Sequence, residues 1–246
     1  MSDTVVDGAL DLLLGGACVG CGRPGRLLCP ECAGELPGGA APSWPTPVPE
    51  GLAEPWAAAA YEGTVRQLVL GLKERRLLGL ARPLGRLLAA AVADGLPHGG
   101  PMVLVPVPSR ARTVRARGHD PTHTITARAA RQLRGEGYDV HARRLLRLGR
   151  GVVDQAGLDA SARAANLAGS MQVRTAGLHR LVRQRGAIRV VVCDDVLTTG
   201  STAREAQRAL ETTGLEVVRV AVVAATQRWA RSDPPGHGEN SGDRLS

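Results

Sequence analysis

Apolar positions recur at helical spacing in two early stretches of the chain: Val65, Leu68, Val69 and Leu72, then Leu84, Leu87, Leu88 and Ala91. Each set lines one face of a 3.6-residue period, and Pro83 suits a first helical turn, so two amphipathic helices are predicted. The period then changes. Met102–Val107 is a short β-rich run, an arginine-rich loop follows, and Asp120 as N-cap with Pro121 at N1 announces a helix ending near Gly135. Tyr138–Leu148 supplies another strand. Ile188–Cys193 is continuously apolar, as a strand covered on both faces must be; Ala203–Thr213 reads as a helix stopped by Gly214, and Glu216–Ala225 as a strand. Strand and helix in alternation predict an α/β fold, a parallel sheet flanked by helices with its ligand at the carboxyl ends of the strands. No internal repeat is visible.

Four of the five cysteines lie outside this alternation, as Cys18-x2-Cys21 and Cys29-x2-Cys32 in a Gly- and Pro-rich segment. Such a segment has too little apolar surface to fold alone, so a cross-link or a metal must hold it. Two Cys-x-x-Cys knuckles supply four thiolates for a tetrahedral, closed, structural Zn²⁺ site; a redox pair, the competing reading, needs only one knuckle. Residues 37–55 carry Pro37, Pro42, Pro45, Pro47, Pro49 and Pro55 with few periodic apolar positions, which reads as a linker or wrapped connection. The expected layout is therefore a zinc ribbon over 1–36, a Pro-rich linker over 37–55, the α/β domain over 56–228 and a disordered polar tail over 229–246. A chain of 246 residues accommodates one ordinary domain with such an appendage.

Apolar residues make up 43% and charged residues 22%, which excludes collagen-like and wholly disordered classes. No apolar run reaches the roughly 18 residues of a membrane span. Ala9–Cys18 superficially resembles a lipoprotein cleavage region, but Asp3, Asp7 and Asp11 precede it where positive charge belongs, and Gly15 stands where an aliphatic residue is wanted. A cytoplasmic location is expected. The net charge of +8 is concentrated: residues 110–150 hold eleven basic and three acidic side chains. That stretch is either a solvated arginine face or a phosphate-collecting surface. Phe is absent and Trp and Tyr are few, so bases have few stacking platforms, and Lys73 is the single lysine beside 30 arginines.

The chemistry concentrates in Val190-Val191-Val192-Cys193-Asp194-Asp195-Val196-Leu197-Thr198-Thr199-Gly200-Ser201-Thr202. A buried strand delivers two adjacent carboxylates to its end, and a loop of small hydroxylated residues opens a helix. Backbone N–H groups from Thr198 to Thr202, the positive end of the helix dipole and the hydroxyls suit a compact dianion such as a 5′-phosphate. Gly200 permits close backbone approach. Asp194 and Asp195 suit the 2′- and 3′-hydroxyls of a ribose and can hold Mg²⁺, directly or through water. The alternative is a plain turn with an N-cap. Cys193 reads as a small core residue.

This segment resembles the phosphoribosyl pyrophosphate (PRPP) signature of type I phosphoribosyltransferases. The whole layout resembles the ComF family, which joins a four-cysteine zinc ribbon to a phosphoribosyltransferase-like domain and is linked to natural competence. Val105-Pro106-Val107-Pro108 is similar to the family's strand end before its pyrophosphate loop, Arg117-Gly118 to its Arg-Gly dipeptide, and Lys73 to a lysine after the first helix. Arg147, Arg150, Asp154-Gln155, Leu158, Arg163 and Asn166 resemble its mobile segment. The resemblance thus implies a type I phosphoribosyltransferase-like sheet, PRPP contacts at Asp194, Asp195, Val196, Thr198, Thr199, Gly200, Ser201 and Thr202, and catalytic roles for the two aspartates. It also implies pyrophosphate contacts at Ser109, Arg117, Arg147, Arg150, Gln155 and Arg163, and zinc at Cys18, Cys21, Cys29 and Cys32. The chain departs from the family at His119-Asp120-Pro121, where Phe-Asn-Gln is usual. Asp120 puts an anion beside a phosphate site, and His119 reads as a ring packed against its loop rather than a general base.

The expected function is binding of PRPP or a ribose 5-phosphate ligand with Mg²⁺, with transfer of phosphoribosyl to an unidentified acceptor and release of pyrophosphate. Of a different class is a non-catalytic module that binds PRPP or a nucleotide together with single-stranded DNA and serves DNA uptake beside competence-machinery proteins. A docking ribbon on a relic domain is the blandest reading. No segment declares itself as a clamp for the acceptor base.

Overall fold

The computed structural model describes residues 16–97, 99–149, 169–175 and 188–226. A six-stranded sheet runs through the α/β part, built from β1 (Ala41–Pro42), β2 (Pro55–Ala60), β3 (Met102–Pro106), β4 (Val140–Ala142), β7 (Arg189–Leu197) and β8 (Val217–Ala225). Their order is β1-β2-β8-β7-β3-β4, and every neighbouring pair is parallel except β1 with β2. A separate antiparallel pair joins β5 (Leu146–Leu148) to β6 (Met171–Val173). Among the described residues, five α-helices accompany these strands: α2 (Gly63–Glu74), α3 (Ala81–Ala93), α4 (Ala111–Arg117), α5 (Pro121–Gly135) and α6 (Ser201–Glu211); a short α1 (Pro30–Gly34) belongs to the cysteine segment.

The apolar strands are buried on both faces, which is why they read as unbroken runs. On one side Leu104, Val191, Cys193 and Val223 pack with Leu68, Leu72, Leu84, Leu88, Ile125 and Leu133 from α2, α3 and α5. On the other, Val103, Val105, Val190, Val192 and Val220 meet Ala203, Ala206 and Leu210 of α6, with Leu146 and Met171 of the small pair. Truncating a fully buried residue such as Leu104 to Ala removes about 2–5 kcal/mol of such packing. The helices α3 and α5 approach so closely that a Cβ at Gly85 would lie 2.5 Å from Arg128 Cβ. Charge is handled locally. Glu205 of α6, 4% exposed, accepts from Met171 N and pairs with Arg208, which ties β6 to the helix. Arg219 of β8, also buried, donates to the carbonyls of Val92 and Asp94 at the end of α3, where a cation suits the helix dipole, and stacks over Trp56 at 4.2 Å.

Both amphipathic helices, the Met102–Val107 strand, the Asp120-capped helix and the two C-terminal strands occur as the sequence predicts. Asp120 Oδ1 accepts His123 N at 3.3 Å, the expected cap. Three expectations change. The arginine-rich loop is the short helix α4, closed by Gly118 at φ +73°. Tyr138–Leu148 is two strands in different sheets, broken where the exposed Arg143 and Arg144 interrupt the apolar pattern. Strand β2, PWAAAA, escapes prediction because its run of alanines carries no β signal; burial against β8 overrides propensity. Part of the proline-rich stretch also joins the sheet, as β1, and Leu52 is buried over α6, so this stretch wraps the domain.

The cysteine segment docks on the α2 and α3 face. Val19, Leu27, Leu28 and Leu36 pack against that core, and a Cβ at Gly20 would meet Cys32 Sγ at 2.9 Å and Thr64 Oγ1 at 3.1 Å. Among the described residues no helix is long and apolar enough to cross a membrane.

Candidate functional site

From β3 the chain moves by α5 to β4 on one side, while β7 and β8 lie on the other, so the direction of strand addition reverses between β3 and β7. Such a reversal leaves a crevice at the carboxyl ends, where open α/β sheets bind ligands. The acidic doublet lies in the last four residues of β7 on one side of that crevice, and Val107 to Ser109 leave β3 on the other; Val107 N donates to Cys193 O at 2.9 Å and ties the two strands together there.

Asp195 is 4% exposed and its Oδ2 forms an ion pair with Lys73 Nζ, from the last turn of α2. Asp194 Oδ1 accepts Asp195 N at 2.8 Å. Although its surface is partly open to solvent, Asp194 is densely enclosed; that enclosure, and then the charge of Asp195, push its carboxyl up to about 8, against the pull of Lys73. Burial alone would lower the Lys73 ammonium, but Asp195 outweighs it and holds it raised. Cys193 is fully buried and burial pushes its thiol up, consistent with a core residue.

The loop after the doublet leads into α6. Thr198 is exposed; Thr199 Oγ1 and Ser201 Oγ lie 3.1 Å apart; Ser201 and Thr202 are half-buried in the first helical turn. Val196 packs partly against the core and pairs with Ala224 in the β7–β8 ladder. Gly200 sits at φ +74°, and a Cβ there would meet Pro45 Cγ at 3.0 Å and Pro49 Cγ at 3.2 Å. Its smallness therefore serves the wrapped proline segment. That segment also grips α6 directly, through Arg204 Nε to Glu50 O and Gln207 to Ala53 N and Gly51 O.

Across the crevice, a cavity of about 460 Å³ is lined by Pro106 to Ser109, Ala111, Val114, Asp120, Leu146, Leu148 and four arginines, Arg115, Arg144, Arg147 and Arg174. Asp120 does not spoil this basic wall. Its Oδ1 caps α5 and accepts from Ser109 Oγ at 3.1 Å, and its Oδ2 lies 3.8 Å from Arg144. Ser109 and Arg147, two of the expected pyrophosphate contacts, both line this cavity. Arg117 lies elsewhere: it pairs with Glu74 at 2.6 Å and does not line the cavity. His119 is packed against the loop, with Nε2 3.1 Å from Leu72 O and Nδ1 3.3 Å from Arg117 O. Arg150, Gln155 and Arg163, with Asp154, Leu158 and Asn166, fall outside the described residues. Arg115 and Arg144 are additions that the sequence signalled only as part of the charge-rich stretch 110–150, and Arg174 lies beyond that stretch.

At the ribbon, the ligand atoms of Cys18, Cys21, Cys29 and Cys32 all lie within 4.8 Å of one another, and Cys21 Sγ is 3.7 Å from Cys29 Sγ. Sulfurs at the corners of a zinc tetrahedron, with bonds of about 2.3 Å, stand about 3.8 Å apart, so the donor set fits. Burial would raise the Cys18 thiol, but N–H groups of Cys29, Cys21 and Gly20 outweigh it and bring it down to about 6. Cys32 is pushed up, first by its hydrogen bond with Cys29 and then by burial. Four crowded thiols cannot all ionise without a cation, and a bound Zn²⁺ would supply that charge and a structural cross-link.

Residues 142–237 match the phosphoribosyl transferase domain family. The matched residues run from the end of β4 through β7, the acidic doublet, α6 and β8, so the chain carries a phosphoribosyltransferase domain on its parallel sheet. Lys73 and the cysteine ribbon lie ahead of the match. No curated protein matches the chain.

Proposed function

We propose that this chain is a ComF-type phosphoribosyltransferase-like protein that binds PRPP or ribose 5-phosphate with Mg²⁺ and transfers phosphoribosyl to a nitrogenous acceptor. The observation that carries this reading is the juxtaposition, at the sheet's reversal point, of an acidic doublet and a hydroxylated helix start with an arginine-lined cavity across the crevice. One ligand bearing a sugar, a 5′-phosphate and a pyrophosphate satisfies all three.

In this reading the N–H groups and hydroxyls from Thr198 to Thr202 hold the 5′-phosphate, and the doublet receives the ribose hydroxyls and offsets positive charge developing at C1. Arg144, Arg147 and Arg174, beside Ser109, neutralise the pyrophosphate. The C1–O bond breaks with its electron pair passing to pyrophosphate, the acceptor nitrogen's lone pair forms the C1–N bond, and the nitrogen's proton passes to solvent. The protein's part is positioning and charge complementarity. Mg²⁺, when bound, supplies charge neutralisation on the pyrophosphate oxygens, and Asp194 is the carboxylate best able to share it. The ribbon is structural, because four sulfurs leave no open coordination position. A zinc–thiolate centre fits a reducing, cytoplasmic setting.

The test is calorimetric titration of the zinc-loaded protein with PRPP and Mg²⁺, followed by pyrophosphate release across a panel of bases. Micromolar PRPP binding with release for at least one base is expected; no PRPP binding would overturn the reading. A second reading, a PRPP- and single-stranded-DNA-binding module acting in DNA uptake with competence proteins, is favoured by the basic excess over 110–150. It predicts PRPP binding with silence across the panel.

A further inference from the structure

Thirty of the 31 basic residues are arginine, and the one lysine, Lys73, is the residue that reaches the acidic doublet. Composition in this chain favours guanidinium at every other basic position, so an ammonium at 73 reports a demand of the site. The geometry states the demand. The Lys73 side chain is 29% exposed while that of Asp195 is 5% exposed, and apart from this ion pair Asp195 Oδ2 has no hydrogen-bond partner. A compact ammonium on a flexible stem can enter beneath such a carboxylate; a planar guanidinium with five donors brings N–H groups that would need partners of their own. Asp194, one residue away, has no ion pair among the described residues, and its Oδ1 is turned onto Asp195 N.

We propose that Lys73 is a positioning residue for the phosphoribosyl site: it neutralises and pins Asp195 beneath the doublet, so that Asp194 alone presents a carboxylate to the ribose. This rests on the function proposed above and divides the roles of its two aspartates. Once Asp194 is ionised, the doublet carries one net negative charge toward the ligand instead of two. That matters for a ligand which is itself a polyanion, since each uncompensated carboxylate in a poorly solvated crevice repels it. It also places part of the site on α2, ahead of the residues that match the phosphoribosyl transferase domain.

The experiment uses the full zinc-loaded chain, titrated with PRPP and Mg²⁺ and separately with ribose 5-phosphate. Lys73→Met leaves two adjacent carboxylates uncompensated and is expected to weaken binding of both probes about thirtyfold. Adding Asp195→Asn to Lys73→Met removes the surplus charge and is expected to regain about tenfold over the single variant. Lys73→Arg is expected to stay well below wild type. If Lys73→Met fails to fold while the double variant folds and binds more tightly, the same charge balance is reported through stability. Wild-type affinity in Lys73→Met, no regain in the double variant, or full rescue by Lys73→Arg would each overturn the inference; no regain would mean that Lys73 touches the ligand itself. Failure of the wild-type protein to bind either probe would sink the proposed function instead.

Discussion

Four sulfurs stand within 4.8 Å of one another in the ribbon, and two adjacent carboxylates with one ammonium stand near the end of β7. The sulfurs close on one another, Cys18, Cys29 and Cys32 being buried, and their geometry has room for one ion and nothing else. At β7 the pairing is incomplete: Lys73 satisfies Asp195, while Asp194 and the Thr198–Thr202 loop face a crevice with a basic wall opposite. In the function proposed, the charge set that one ion completes holds structure, and the one left a partner short at the sheet's reversal point holds the ligand.

The contrast is broken most forcefully at the ribbon. Cys29→Ser with Cys32→Ser should abolish stoichiometric zinc and unfold residues 16–36, since metal binding contributes on the order of 10 kcal/mol to such knuckles. Metal analysis and tryptic digestion read this, and retained zinc in that variant would exclude the ligand set. Next in size, Asp194→Asn with Asp195→Asn should lower PRPP affinity about 100-fold or more, given about 1.5–3 kcal/mol for each charge-assisted hydrogen bond, with the zinc content unchanged. Arg144→Ala with Arg174→Ala should weaken pyrophosphate binding about tenfold while sparing ribose 5-phosphate; equal loss of both would mean the cavity does not divide the ligand as proposed.

A smaller effect concerns pH. The Asp194 carboxyl is raised from an ordinary value of 3.8 to about 8, so between these limits the folded protein binds the proton that the unfolded chain releases. Its contribution to stability is therefore present at low pH and lost as pH rises from about 4 to about 8. Asp194→Asn should flatten the fall in melting temperature of the ligand-free protein across that window. An unchanged slope would show that Asp194 is not protonated in the free site. Smallest is any grip on single-stranded DNA: with few aromatic rings it should be electrostatic, and log affinity should fall linearly with log salt.

What the sequence disclosed and what it hid follow from the range of each interaction. Helical periodicity, the Asp120 cap, the Val190–Val192 run and the two cysteine knuckles are local, so they were legible. The doublet and its threonine loop were also legible, because strand, carboxylates and helix start are contiguous. The Lys73–Asp195 pair spans more than 120 residues, so the sequence singled out Lys73, by its likeness to a family lysine, without its partner. The crowding at Gly200 was hidden for the same reason, since the prolines beside it lie some 150 residues earlier. Strand β2 was missed because alanine has no β preference and only burial against β8 makes it a strand.

The central claim is tested most directly by a crystal of the zinc-loaded protein soaked with PRPP and Mg²⁺. The 5′-phosphate should sit on the backbone N–H groups between Thr198 and Thr202, with the ribose hydroxyls on Asp194 and the pyrophosphate among Arg144, Arg147 and Arg174. Density for the sugar phosphate anywhere else, or a crevice that excludes it at saturating concentration, would contradict the account.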